Sequence, residues 1–146
     1  MVNWNAGALL GDCVRSLQGQ CPLIVVDNAS SDQSCDGLET LEHVTLIRAN
    51  RNLGFAAACN LGARSANATY LLFINPDARA RPGSVRPLLE RFEQPQHQHI
   101  GILGVQLLDE AGEVARSCAR FPTAWGILAQ SLGLDRWVPQ WGHFMT

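Results

Sequence analysis

The chain has 146 residues with 11 Lys+Arg against 13 Asp+Glu, a net charge of −2, and it is 47% hydrophobic and 16% charged, a composition suited to one globular domain. Every cation is an arginine, which excludes a Walker-type phosphate loop, a pyridoxal Schiff base and any lysine nucleophile. The near-neutral balance offers no basic face for nucleic acid or an anionic membrane.

The first strand is short, Val2-Asn3-Trp4, and turns at Asn5-Ala6-Gly7. Ala8 to Leu17 then reads as a helix, and Leu23-Ile24-Val25-Val26 is a β-branched run that stops at Asp27-Asn28. Ser30-Ser31-Asp32 supplies capping side chains, and a helix is expected over Gln33 to Leu41. Val44 to Arg48 is the next strand and Gly54 to Ala66 the next helix. Tyr70 to Ile74 reads as a further buried strand ending in Asn75-Pro76-Asp77, and Pro82-Gly83-Ser84 opens a helix in which Val85, Leu88, Leu89 and Phe92 recur at helical spacing. After the polar stretch from Glu93 to His99, Ile100 to Leu108 reads as a strand turning at Asp109-Glu110-Ala111-Gly112. Such alternation specifies an α/β three-layer sandwich around a mostly parallel sheet.

Both ends read as abrupt, so the sequence suggests a chain that begins within its first strand and stops inside the protein, incomplete at the C-terminus. Trp137, Trp141 and Phe144 near the end follow helical spacing and read as core packing or as a face for further chain. Five cysteines, Cys13, Cys21, Cys35, Cys59 and Cys118, include no C-x-x-C pair and no zinc spacing, which fits reduced thiols in a cytoplasmic protein. Two glycosylation sequons, at Asn28 and Asn67, read as coincidence without a signal peptide, and no apolar run approaches the 18 or so residues of a membrane span. The charged fraction lies below the roughly 25% of an average domain, so part of the surface is expected to be covered, by self-association or by a partner.

In an open parallel sheet ligands bind outside the carboxyl ends of the strands. Three strands end there in polar clusters: Asn3-Trp4-Asn5, Asp27-Asn28 and Asn75-Pro76-Asp77. A carboxylate at such an end can accept from a nucleobase N–H or a ribose hydroxyl, which suits Asp27, whereas beside a phosphate it helps only through a cation, which suits Asp77. Asp and Asn are also ordinary turn and capping residues, and spacing alone does not decide between the two roles. His97 and His99 read as solvated, His43 and His143 stand alone, and Cys59 reads as a small packed residue. Arg79, Arg81 and Arg86 read as a solvated helix start.

Four blocks in order, Val2-Asn3-Trp4-Asn5, Ile24 to Asp32, Asn50 to Phe55 with Asn60, and Leu71 to Asp77, resemble the inverting family 2 glycosyltransferases, most closely the rhamnosyltransferase-like members that build bacterial surface polysaccharides. The resemblance runs from residue 2 to about 120, including Gly104 to Gly112 and Arg120-Phe121-Pro122. It implies a Rossmann-like nucleotide-diphospho-sugar transferase fold, the glycosyltransferase A-type, with strand order 3-2-1-4. It also implies that residues 1–115 bind the donor and that 116–146 begin an acceptor-side region. By the same resemblance Val2, Trp4, Asp27 and Asn28 hold the nucleobase and ribose, Arg51, Asn52, Gly54 and Asn60 lie near the diphosphate, and Asp77 ligates Mg²⁺ or Mn²⁺. Asn75, which the resemblance counts among the nucleotide-sugar-binding residues, stands where the usual Asp-x-Asp metal motif has its first carboxylate.

The implied reaction transfers a sugar from a UDP- or dTDP-type carrier to a glycan or lipid-linked acceptor, with inversion, at the cytoplasmic side and in peripheral contact with the membrane. Its leaving group carries about two negative charges, each worth roughly 4 kcal/mol against an opposite charge at 4 Å and an effective dielectric of 20. A chain of net charge −2 needs local positive charge to meet that, and a hard divalent ion held by one carboxylate and the phosphates supplies it. The family's general base lies downstream; Asp109, Glu110 and Glu113 fall in the expected hairpin turn and no base is assigned. The competing reading is a non-catalytic nucleotide-sugar-binding module. A nucleotidyltransferase is disfavoured, because neither a Gly-rich phosphate loop nor a lysine is present.

Overall fold

A computed structural model describes residues 1–115 and Ser131, which places Cys118, the Arg120-Phe121-Pro122 block, the expected acceptor-side region 116–146 and its aromatics outside the described residues. The chain divides into two compact units, Met1–Ile100 and Gly101–Thr146.

In the first unit, strand β1 (Val2–Asn3), helix α1 (Ala8–Leu17), strand β2 (Leu23–Asp27), strand β3 (Val44–Arg48), helix α2 (Phe55–Ser65) and helix α3 (Val85–Phe92) follow in chain order. The three strands form one parallel sheet in the order β1-β2-β3, with Val2 opposite Val26, Asn3 opposite Asp27, and Asp27 opposite Arg48. β2 is central and apolar on both sides, and its side chains alternate between two cores. Leu23 and Val25 pack with Leu10, Cys13, Val14 and Leu17 of α1. Val26 and the half-buried Ile24 pack on the other face with Val2, Ala58 and Leu61. The sheet is therefore the middle of three layers, as the alternating pattern requires. Close approach of α2 depends on Gly62, where a Cβ would lie 3.1 Å from Val26 Cγ2.

Three expected elements differ. Over Gln33 to Leu41 only a single 3-10 turn forms, Leu38–Thr40, because Ser30 and Ser34 are engaged with Asn3 at the end of β1 and Asp32 with Gly7 at the start of α1 instead of a helical backbone. Tyr70 to Ile74 forms no strand. Ile74 packs against the α1 core, but Tyr70, Leu71, Leu72 and Phe73 stay exposed, and Tyr70 stacks on Phe92 of α3 with ring centroids 5.1 Å apart. The two-residue β1 gives a fourth strand little ladder to extend, so the order 3-2-1-4 appears among the described residues only as its 3-2-1 part.

In the second unit, Ile100 to Leu108 is strand only over β4 (Leu107–Leu108), which pairs antiparallel with β5 (Val114–Ala115) across the expected turn. Asp109 closes that turn by accepting from the Glu113 N–H at 2.9 Å. No helix of the described residues is long and apolar enough to cross a membrane, and Cys13, Cys21, Cys35 and Cys59 are free thiols.

Candidate functional site

The carboxyl end of β1 carries Asn3, fully buried, between the end of β2 and the loop after it. Its Nδ2 lies 2.8 Å from Ser34 Oγ, 3.0 Å from Ser30 Oγ, 3.2 Å from Asp27 Oδ1 and 3.2 Å from Cys35 Sγ. An amide nitrogen has two hydrogens, so these acceptors share them and the strand end is tied to four neighbours at once. Asn5 continues the tie: its Oδ1 accepts from the Ser31 N–H at 2.7 Å, and its own N–H donates to Ser30 Oγ. Asn5 at φ +54 and Ala29 at φ +62 adopt the left-handed region, uncommon for residues other than glycine and held here by the bonds around them. Asp32 accepts from the Gly7 N–H, the residue that opens α1, and from Ser34, whose hydroxyl holds the Asp32 carboxyl below the usual carboxylate range.

Asp27 sits at the carboxyl end of β2 and is buried, 4% exposed. Oδ1 accepts from Asn3 Nδ2 and, at 3.3 Å, from the Ser30 N–H, which makes a local turn of Asp27 to Ser30. Oδ2 faces Arg48 at 3.6 Å, a distance for charge attraction without a hydrogen bond, so that oxygen keeps acceptor capacity. Arg48 is anchored by Glu39, each shifted toward its charged form by the hydrogen bond between them. One Asp27 oxygen thus closes the turn, while the other faces Arg48 without a hydrogen bond to it. Burial first, then the nearby Asp27 charge, pushes the Cys35 thiol pKa up.

Asn28, also buried, donates from Nδ2 to Asn52 Oδ1 at 2.9 Å and accepts from the Leu53 N–H at 2.8 Å, while Asn52 Oδ1 also accepts from the Gly54 N–H. The amides of Asn28 and Asn52 therefore fasten the 50–54 loop onto β2 and fix where α2 begins. Gly54 adopts φ 80 and ψ 159, a conformation close to glycine-only, with open space where a Cβ would stand. Arg51 is exposed and forms no ion pair among the described residues, and Asn60 is exposed on α2. A helix N-terminus with a free guanidinium beside it favours negative charge.

Trp4 is 60% exposed directly after β1, presenting its ring to solvent, whereas the Val2 side chain is part of the sheet core and leaves only backbone for any ligand. Asn75 and Asp77 lie in an exposed turn, with the Asn75 carbonyl accepting from the Cys13 thiol at 3.4 Å. No group of three or more His, Cys, Asp or Glu able to hold a metal occurs among the described residues. One exposed carboxylate and a neighbouring amide fit a hard cation whose remaining ligands are phosphate oxygens and water; they do not make a protein-only metal cage. A separate depression of about 450 Å³, lined by Gln20, Cys21, Glu42 and His43 among others, lies at the amino ends of β2 and β3, away from these groups.

Reading the sequence missed Arg48 as the partner of Asp27 and Asn3 as the hub. Each sits directly opposite Asp27 in the strand register, a relation that appears only once the strands are paired.

The family model described as Glycosyl transferase family 2 matches residues 1–117. Polypeptide N-acetylgalactosaminyltransferase 15 of Mus musculus is 35% identical to this chain over 75 residues, covering 48% of the chain and 12% of that relative. The chain thus spans a small part of the length of the curated relative it matches.

Proposed function

Because the chain belongs to glycosyl transferase family 2, and so has the α/β nucleotide-sugar transferase fold of the A type, we propose that it is the donor-binding part of a metal-dependent inverting glycosyltransferase. It moves a sugar from a UDP- or dTDP-type carrier to a glycan or lipid-linked acceptor in cell-surface polysaccharide synthesis, at the cytoplasmic face of a membrane. The rhamnosyltransferase-like assignment rests on Asn75-Pro76-Asp77 in place of two carboxylates.

The observation that carries the reading is Asp27, a buried carboxylate at a strand's carboxyl end with one oxygen engaged in the turn and the other available. It accepts from the nucleobase N–H or the ribose, while Trp4 offers an aromatic face on which the base stacks, a contact worth about 1–3 kcal/mol in nucleic-acid complexes. Arg51, the Gly54 opening of α2 and Asn60 take the diphosphate, with Asn28 and Asn52 holding that loop in shape. Asp77, with Asn75, supplies the protein's share of a Mg²⁺ or Mn²⁺ shell; when bound, the cation neutralises charge on the leaving diphosphate.

Calorimetry with UDP, dTDP and GDP, each with and without Mn²⁺, tests the donor site, and NMR of the product's anomeric configuration tests inversion. Binding of one nucleotide, tighter with Mn²⁺, is expected; no binding by any of them contradicts the proposal. A second reading is a nucleotide-sugar-binding module without turnover: no base is assigned among the described residues, and Asp109 has one carboxylate oxygen engaged in its own hairpin. Nucleotide binding with no release of sugar from the matching donor selects that reading.

A further inference from the structure

We infer that α1 is the cradle that positions the Asn75–Asp77 turn, with Ser16 and Gln20 as positioning residues for the Asp77 carboxylate; this rests on the reading of Asp77 as a metal ligand. A strand would ordinarily fix such a turn through its ladder, but Tyr70 to Ile74 makes none. What holds the segment instead is α1 together with the turn that follows it. Asp12 and Ser16 lie four residues apart on α1 with Cys13 beside them, and Gln20 follows in the turn just after the helix.

Each reaches the segment that carries Asp77. The Cys13 thiol donates to the Asn75 carbonyl at 3.4 Å. Ser16 Oγ donates to the Cys13 carbonyl at 2.7 Å, which fixes its rotamer, and accepts from the Ala80 N–H at 3.0 Å. Gln20 Nε2 donates to the Ser16 carbonyl at 2.8 Å and the Arg81 carbonyl at 3.1 Å, while Oε1 accepts from the Val85 N–H at 3.3 Å. Asp12 pairs with Arg79, two residues past Asp77. Contacts thus fall at residues 75, 79, 80, 81 and 85, on both sides of Asp77. A single-carboxylate metal site depends on where that carboxylate is held, and groups that orient a ligand typically change metal affinity 10- to 100-fold when removed.

The test is Mn²⁺ binding, followed by the electron spin resonance of free Mn²⁺, with saturating UDP and the full chain in wild type, Asp77→Ala, Ser16→Ala, Gln20→Ala and Ser16→Thr. Ser16→Ala and Gln20→Ala are expected to weaken nucleotide-dependent Mn²⁺ binding about tenfold or more, with metal-free UDP affinity unchanged, and Ser16→Thr to restore it. The same two variants are expected to speed alkylation of Cys13, resolved by mass spectrometry, because the segment covering that thiol loosens. If Asp77→Ala abolishes Mn²⁺ binding while Ser16→Ala and Gln20→Ala leave it unchanged, the cradle is wrong and the Asp77 ligand stands. If Asp77→Ala has no effect, the ligand reading itself fails. Should Gln20→Ala not fold, Gln20→Glu, which keeps the acceptor for Val85 and loses the donor to Arg81, takes its place with the same expectation.

Discussion

Asn28 shows how much one buried amide can determine. Its carbonyl oxygen accepts from Leu53 and its nitrogen donates to Asn52, so Asn28→Ala strands a backbone donor at the start of α2. Unsatisfied buried groups cost about 1–3 kcal/mol, and urea unfolding of Asn28→Ala is expected to show a loss in that range. A titrating group gives a second residue-level prediction. Burial pushes the Cys13 thiol pKa from its ordinary 9.0 up to about 11. Between those values the unfolded chain has released the proton that the folded chain keeps, so stability is complete below pH 9 and falls as pH rises toward about 11. Cys21 and Cys35 are shifted the same way by burial. Urea midpoints from pH 8 to 11 should therefore decline, and Cys13→Ala should flatten part of the slope. Asp27 stood out at this scale as a carboxylate ending a doubly apolar strand, although its turn-closing bonds account for one of its oxygens. Asn3 did not, because three of its four partners, Ser30, Ser34 and Cys35, come from the loop beyond β2, and no spacing announces them.

At the scale of elements, α1, β2, β3, α2 and α3 follow the hydrophobic period of the sequence to within a residue. Two of the departures trace to tertiary partners, present in one case and missing in the other. Gln33 to Leu41 has helical spacing but is preceded and joined by Ser and Asp side chains that bond elsewhere, Ser34 to Asn3 of β1 and Asp32 to Gly7 at the start of α1. Tyr70 to Ile74 has strand composition, but a strand needs a neighbour's ladder as well as its own pattern, and β1 is two residues long. Where the element forms as expected, its boundary conformation is the vulnerable point. Gly54 opens α2 at φ 80 and ψ 159, so Gly54→Ala is expected to cost about 1–3 kcal/mol in thermal or urea unfolding. It should also weaken nucleotide binding, since the loop carrying Arg51 is set by the same turn. Retention of full stability by Gly54→Ala would show that α2 can begin another way.

Across the whole molecule, the charge balance and the sheet answer different questions. A net charge of −2 says only that a diphosphate ligand must find its positive charge locally. On the proposed reading that happens where Asn3, Asp27 and Arg48 meet at the carboxyl ends of three parallel strands, in register, with the 50–54 loop fastened to the same end by Asn28. The same sheet leaves Trp4 and Phe55 exposed beyond β1 and at the start of α2, apolar surface that a nucleotide's base and sugar would cover in part. Calorimetry of UDP and dTDP against the wild-type chain and Asp27→Ala, at one Mn²⁺ concentration, tests this most directly. The account predicts that one of the two nucleotides binds the wild type and that Asp27→Ala loses at least about tenfold in affinity, 1.4 kcal/mol, while remaining folded. Equal affinity in a folded Asp27→Ala would contradict it.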